Sequence, residues 1–351
     1  MRLLARSCLV FRNGVGMHEQ VTTALREIFG TRMREHEPMA KRTNFRIGGP
    51  ARWFVDARTA EEVQAAIAAV QAHGVPWCVL GGGSNTLFAD AGFDGVVVQM
   101  AMRDIRVDGT RVRAGAGAMS AAVARAAGDA GLMGFVWAIS LPGTIGGAVR
   151  GNAGCFGGET GDAVETVEVL EGTTGLVHTL GKQDCAFTYR HSYFKDHPTS
   201  IVLSVLLRLT SDNPARCRDA MDTVLQQRRT TQPHDKPSAG CLFKNIDVRT
   251  LTPEQEARLD ALSSDSWRTA VRDGRLAVGW VVDRLGLKGF QCGAARISDV
   301  HGNFTMNLGG ATAADVMAVA RTVQERAQHI LGLPIEIEVQ CIGFSSLQAD
   351  K

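Results

Sequence analysis

Apolar positions recur along the chain at two alternating periods, and each change of period marks an element. After Pro50 the run ARWFVDA (51–57) reads as a strand. Thr59 and Glu62 then stand in capping-box positions, and Val63, Ile67 and Val70 fall on one helical face until Gly74 stops the helix. The apolar run WCVL (77–80) returns to strand, so a strand–helix–strand unit leads straight into Gly81-Gly82-Gly83-Ser84-Asn85. VVVQM (96–100) predicts a further strand and SAAVARAAGDAG (120–131) a helix of small residues. Strands are also expected at AVETVEVLEG (163–172) and IVLSVLLRLT (201–210), before a turn at Ser211-Asp212-Asn213-Pro214 that marks a domain boundary.

The second half has its own pattern. A helix is predicted over 216–229, followed by the stretch SAGCLFKN and a polar insertion of about 246–274 that holds Pro253 and an acidic, helix-like run. The last helix opens with Thr312 and Asp315 in capping positions, turns Val316, Val319, Val323 and Ile330 inward, and ends at Gly332. A final strand is expected from Ile335 to Cys341, with Ile335, Ile337, Val339 and Cys341 on the apolar face and Glu336, Glu338 and Gln340 on the polar one. EQVTTALREIF, behind Met17, reads as a helix, which leaves residues 1–16 as either a disordered extension or an over-called start. The elements sum to an α+β protein, divided at 17–76, 77–213 and 214–332, with 333–351 as a closing strand and tail.

Composition narrows the function classes. The 351 residues are 45% hydrophobic and 21% charged, an ordinary folded chain long enough for two or three domains. A net charge of +2, with no basic run interleaved with aromatics, weighs against a nucleic-acid surface. The eight cysteines are scattered, with no CxxC pair, which argues against a zinc site or a disulfide scaffold and for a reducing compartment. The stretch Cys8-Leu9-Val10-Phe11 is too short for a signal-peptide core, and nothing approaches the roughly 20 apolar residues of a membrane span. A cytoplasmic monomer without a bound metal is the expectation.

Two glycine clusters carry the candidate chemistry. Consecutive glycines at 81–83 let backbone N–H groups converge on an anion such as a pyrophosphate. The cluster is neither a dinucleotide fingerprint, lacking the third glycine, nor a phosphate-binding P-loop, lacking GK[ST]. Taken alone it reads equally as a tight structural turn. Seven more glycines fall between Pro142 and Gly158, a density that suits backbone lying close to a ligand.

Eight ordered blocks make the reading specific. TNFRIGGPA (43–51), LGGGSNTLFAD (80–90), ISLPGTIGGAVRGNAGCFGGE (139–159), YRHSYFK (189–195), SAGCLFKN (238–245), GWVVDRLGLKGFQCGAA (279–295), HGNFTMN (301–307) and IEIEVQCIG (335–343) resemble, in order, the signature blocks of the UDP-N-acetylenolpyruvoylglucosamine reductase family. The resemblance implies two FAD-binding subdomains of the vanillyl-alcohol-oxidase-like type (17–76 and 77–213) and a C-terminal α/β domain (214–332) that binds a UDP-sugar. It implies non-covalent FAD, NADPH as hydride donor, and reduction of an enolpyruvyl sugar in peptidoglycan synthesis. By the same resemblance Gly81, Gly82, Gly83, Ser84 and Asn85 hold the FAD pyrophosphate. Pro142, Gly143, Thr144, Gly147 and Ala148 line the flavin, with Arg46 and Gly48 nearby.

Arg190 matches the arginine that faces the substrate carboxylate, Glu338 the active-site glutamate, and Cys241 the position of a proton-donating serine. Asn245, Gln291, Lys244 and Ser238 match or flank substrate-contacting positions. A thiol, with an ordinary pKa of about 8.5, is a stronger acid than a serine hydroxyl and is competent for that transfer. Residue type alone would read Arg190 as a surface ion pair, Glu338 as one of two equivalent polar-face glutamates, and Cys241 as a small buried residue. The chain departs from the family pattern at Thr231, where a substrate-binding lysine is common, at Phe156 for tyrosine and at Ile246 for proline. Arg229 and Lys236 are the candidates to replace that lysine, and His301 reads as structural. The short connection after YRHSYFK matches the subgroup without an extra substrate-closing loop. Two other classes stay open: an oxidase with FAD attached through a residue such as Cys155, and a non-catalytic nucleotide-binding protein.

Overall fold

The computed structural model describes residues 14–344. Its N-terminal part is a four-stranded sheet in the order Met33–Pro38, Pro50–Ala57, Phe93–Met100, Trp77–Leu80, antiparallel in its first pair and parallel in the others. Both faces are covered, which explains the near-continuous apolar run at 51–57. Trp53 and Val55 pack under helices Gly14–Phe29 and Ala60–Ala72 through Val21, Leu25, Val63 and Ile67. Phe54 and Val97 face the other way onto Met39, Leu80 and Phe88. The first helix already includes Gly14–Gly16, so these three do not belong to the extension expected at 1–16; residues 1–13 lie outside the described residues.

Half of the expected capping box forms. Thr59 accepts from the Glu62 N–H, while the Glu62 carboxylate turns to the Arg32 guanidinium, at 2.5 and 2.7 Å, and to the Arg58 N–H. A charge-assisted fork of this kind outcompetes a neutral bond to a helix-end amide.

A second, antiparallel sheet runs in the order Val177–Gly181, Val164–Glu171, Ser200–Arg208, Arg111–Gly115, Ile105–Asp108. Helices Ser120–Asp129 and Pro214–Thr231 pack beside it. The polar turn before 214 is also a cap: Asn213 accepts from the Ala215 N–H and Pro214 takes the first helical turn.

The C-terminal part holds an antiparallel sheet, Ser238–Cys241, Phe304–Asn307, Ala295–Ile297, Gln291–Cys292, covered by helix Ala313–Leu331. That helix turns Val316, Val319, Val323, Ala327 and Leu331 inward, but leaves Ile330 39% exposed. Its stripe steps by four residues over the last two turns, so Leu331 takes the place expected of Ile330. The insertion folds as helix Pro253–Leu262 with three short strands, and Leu259, Trp267 and Leu276 join the core beneath it.

The final strand is shorter than its alternation suggests. Only Gln340–Ile342 is regular, paired in parallel with Thr86–Phe88, and Ile337 makes a single bridge to Phe243. The backbone between is spent on another loop: Glu338 N donates to Leu242 O, and Lys244 N donates to Glu336 O. Cys341, expected on the inner face, is exposed. This return of the chain ties residues 338–340 to the glycine loop, because Gln340 N donates to Asn85 O and Asn85 Nδ2 to Glu338 O.

Candidate active site

One cavity of about 710 Å³ opens where the two halves meet, within the roughly 300–1,000 Å³ usual for small-molecule and cofactor sites. One wall is the glycine loop 81–85 at the end of strand Trp77–Leu80, and opposite it lie Pro142, Thr144, Gly147 and Ala148. Their close approach explains the glycines. A side chain on Gly81 would strike the Thr144 hydroxyl, one on Gly82 would stand 2.8 Å from Gly143 Cα, and one on Gly83, at φ +63°, would run into Arg42 O. Gly143 lies behind the wall against Ser84, and Gly48 packs on Phe88. Arg46, exposed and at φ +54°, follows Asn44, whose N–H donates to Gly83 O. Of these three only Gly143 packs on the glycine loop, and none of them lines the cavity.

The cavity also holds ionisable groups from distant segments. Arg190 Nε lies 2.8 Å from Glu338 Oε1, with both side chains largely buried. That N–H is not aimed at the carboxylate and has no hydrogen-bond partner, so charge rather than an aligned bond holds the pair. Arg190 Nη2 donates to Gly154 O at 3.0 Å. Burial raises the Glu338 pKa above its usual range, opposed in part by Arg190 and Lys195. Burial alone would lower the Arg190 pKa, but Glu338, Tyr189 and Cys241 together raise it.

Cys241 closes strand Ser238–Cys241 and lines the same cavity. Burial, with Glu338 beside it, pushes its thiol up to about 12 against the pull of Arg190 and Arg228, so it is a neutral S–H donor at pH 7.

Three further cations line the cavity that sequence reasoning missed: Arg150, Lys195 and Arg228. No carboxylate pairs with any of them among the described residues. Desolvation lowers the pKa of each. Arg228 had a signal: Cys217, Met221 and Val224 form the buried stripe of its helix, and the next step along that stripe is 228. Arg229 and Lys236 are exposed and stand away from the cavity. Thr231 bonds back to Gln227 O at 2.7 Å.

The four substrate-side residues lie outside the cavity lining. Asn245 Oδ1 accepts from Val278 N, Lys244 pairs with Glu336 at 2.8 Å, Ser238 Oγ accepts from Gly240 N, and Gln291 donates to Gly293 O. His301 is mostly buried against Phe304, with Nδ1 accepting from Asn303 N. The seven described cysteines are free, and among the described residues no three His, Cys, Asp or Glu side chains cluster as metal ligands.

Known proteins match this arrangement in both halves. The FAD binding domain family matches residues 51–181, and the family of UDP-N-acetylenolpyruvoylglucosamine reductase C-terminal domains matches 232–342. The chain is 35% identical over 340 residues to the UDP-N-acetylenolpyruvoylglucosamine reductase of Desulfosudis oleivorans, covering 93% of this chain and 99% of that one. It is 34% identical to the enzyme of that name from Heliobacterium modesticaldum, covering 94% and 96%. The chain belongs to the UDP-N-acetylenolpyruvoylglucosamine reductase family. The crystal structure of the Thermus caldophilus enzyme superposes with a TM-score of 0.70 at 33% identity, over 88% of this chain and 99% of that one.

As a member of the family, the chain is a flavin-dependent oxidoreductase with FAD as its cofactor. The cavity fits that group. Its walls would be filled by side chains at 81–83, a side chain on Gly147 would meet only Thr144 Oγ1 at 3.6 Å, and the buried Thr144 hydroxyl and Gln232 Oε1 have no hydrogen-bond partner within the protein. Unsatisfied buried polar atoms facing a cavity are the mark of a polar guest.

Proposed function

We propose that this chain reduces UDP-N-acetylglucosamine enolpyruvate to UDP-N-acetylmuramate with NADPH, in the cytoplasm, for peptidoglycan synthesis. The observation that carries the reading is the meeting of Arg190, Glu338 and the protonated Cys241 in the cavity that the glycine loop also lines. The division of labour that goes with it places FAD on 17–213 and the sugar on 214–332, with 333–351 returning Glu338 to the cavity.

The backbone of 81–85, with Thr144, Gly147 and Ala148, would hold FAD, which when bound would supply the hydride chemistry that links NADPH to the sugar. Everything else falls to the side chains. Hydride addition at C3 of the enolpyruvyl group pushes an electron pair through C2 onto the carboxylate, and the Arg190 guanidinium stabilises the charge that gathers there. Glu338 holds the guanidinium in place and limits the positive charge it presents to the substrate before reaction. Cys241 S–H then gives its proton to C2, completing the two-electron reduction. The thiolate left behind faces Arg190 and Arg228 and recovers a proton from solvent. Arg150 and Arg228 are the cavity cations free to face phosphate oxygens, in place of the family lysine absent at Thr231.

The test follows the nicotinamide and flavin absorbance bands with and without the enolpyruvyl sugar. NADPH should bleach the flavin, and the sugar should restore its colour with one equivalent of product. NADPH consumption that ignores the sugar, or flavin that stays on acid-precipitated protein, would defeat this reading in favour of an oxidase.

A further inference from the structure

Lys195 is the cavity cation with no part in the scheme above. It sits on the one-turn helix Tyr193–Asp196, which is anchored by the buried Phe194 and by Ser192, whose hydroxyl donates to Arg150 O at 2.7 Å. Its Nζ donates to the Arg190 carbonyl oxygen at 2.7 Å. Arg190 occupies the third position of a tight turn closed by reciprocal backbone bonds between Thr188 and His191, and its φ is +53°. That left-handed position in a turn favours glycine or asparagine, so an arginine persists there only where its surroundings hold it.

We infer that Lys195 is a positioning residue: its ammonium tethers the Arg190 carbonyl and keeps the strained turn in the conformation that carries the Arg190 guanidinium into the cavity against Glu338. Fixing that carbonyl fixes ψ at Arg190. Two further tethers hold the turn: Asn152 Nδ2 donates to Thr188 O at 2.9 Å, and Asn245 N donates to the Tyr189 hydroxyl at 3.2 Å. A charged donor is the stronger kind of restraint for a neutral carbonyl. The inference rests on the reading of Arg190 as the group that faces the substrate carboxylate.

The test compares two ligands that differ by that carboxylate: the enolpyruvyl sugar and UDP-N-acetylglucosamine, each titrated against the flavin spectrum of the oxidised holoenzyme. Lys195→Met should weaken the enolpyruvyl sugar by about tenfold or more and UDP-N-acetylglucosamine by less than about twofold, the range expected for one lost charge-assisted contact. Lys195→Arg, which keeps a charged donor, should recover most of the loss. If Lys195→Met binds both sugars as the parent does, or weakens both alike, the positioning role is overturned. Should Lys195→Met fail to hold FAD, Lys195→Gln is read in the same way, and loss of FAD from both variants makes Lys195 a structural residue and also overturns the role. A parent enzyme that fails to discriminate the two sugars would instead sink the reading of Arg190 itself.

Discussion

The proposed scheme concentrates the chemistry into one S–H bond, that of Cys241. Replacing it by alanine should leave NADPH able to bleach the flavin while the enolpyruvyl sugar no longer restores its colour; serine at 241 should keep turnover, since it too can donate. The pH dependence has a definite sign. A thiol that acts as an acid loses rate as pH rises through its pKa, and here burial holds that pKa near 12. Stopped-flow reoxidation should therefore stay flat between roughly pH 7 and 9, where a thiol ionising at its ordinary value of about 8.5 would lose most of its activity. The residue type and its place in SAGCLFKN were legible from sequence, but the buried setting that keeps the proton on sulfur, with Glu338 beside it, comes from the fold.

The same contrast holds for whole elements. Gly147 lies in helix Ile145–Gly151 with open cavity beyond its Cα. Alanine there should raise the stability of the FAD-free protein by up to about 1 kcal/mol through helix propensity, yet weaken FAD, so thermal melts and flavin titration should move in opposite directions. On the second sheet, Glu165 bridges Arg111 at 2.7 Å and Arg208 at 2.9 Å, joining three strands, and the Arg111 bond is the main cause that holds its carboxyl down at about 2. A carboxylate with a lowered folded-state pKa adds stability above its unfolded value, and that contribution is lost as pH falls through the folded one. Glu165→Gln should accordingly lower the melting temperature at pH 7, and the gap from the parent should close as pH falls from about 4.3 towards 2. The strands themselves were readable from periodicity; which charged residues face each other across them was not, because pairing depends on register.

For the molecule as a whole, stability and function meet at the seam between its halves. Asn307 is buried and donates to Phe45 O at 3.0 Å, while its Oδ1 accepts from Gly309 N and Ala311 N. Asp90 caps helix Ala313–Leu331 by accepting from the N–H groups of Ala313 and Ala314. Asn307→Ala strands the buried Phe45 O and Ala311 N and should destabilise the protein by about 2–4 kcal/mol in a denaturant melt, with flavin released in the same transition.

Sequence alone determined the strands and helices whose apolar faces repeat, the two glycine clusters that admit a cofactor, and the ordered blocks that mark the family, because each is written in neighbouring residues. Residue type and period left Glu336 and Glu338 equivalent and only the family block chose between them; the tertiary structure alone decided that Arg228 faces the cavity where Arg229 does not, and that Lys195 and Arg150 line it at all. Those choices depend on where the chain's end returns beside residues 85–88 and on which side of a helix meets the core. Local periodicity cannot encode a meeting of segments so far apart in the chain.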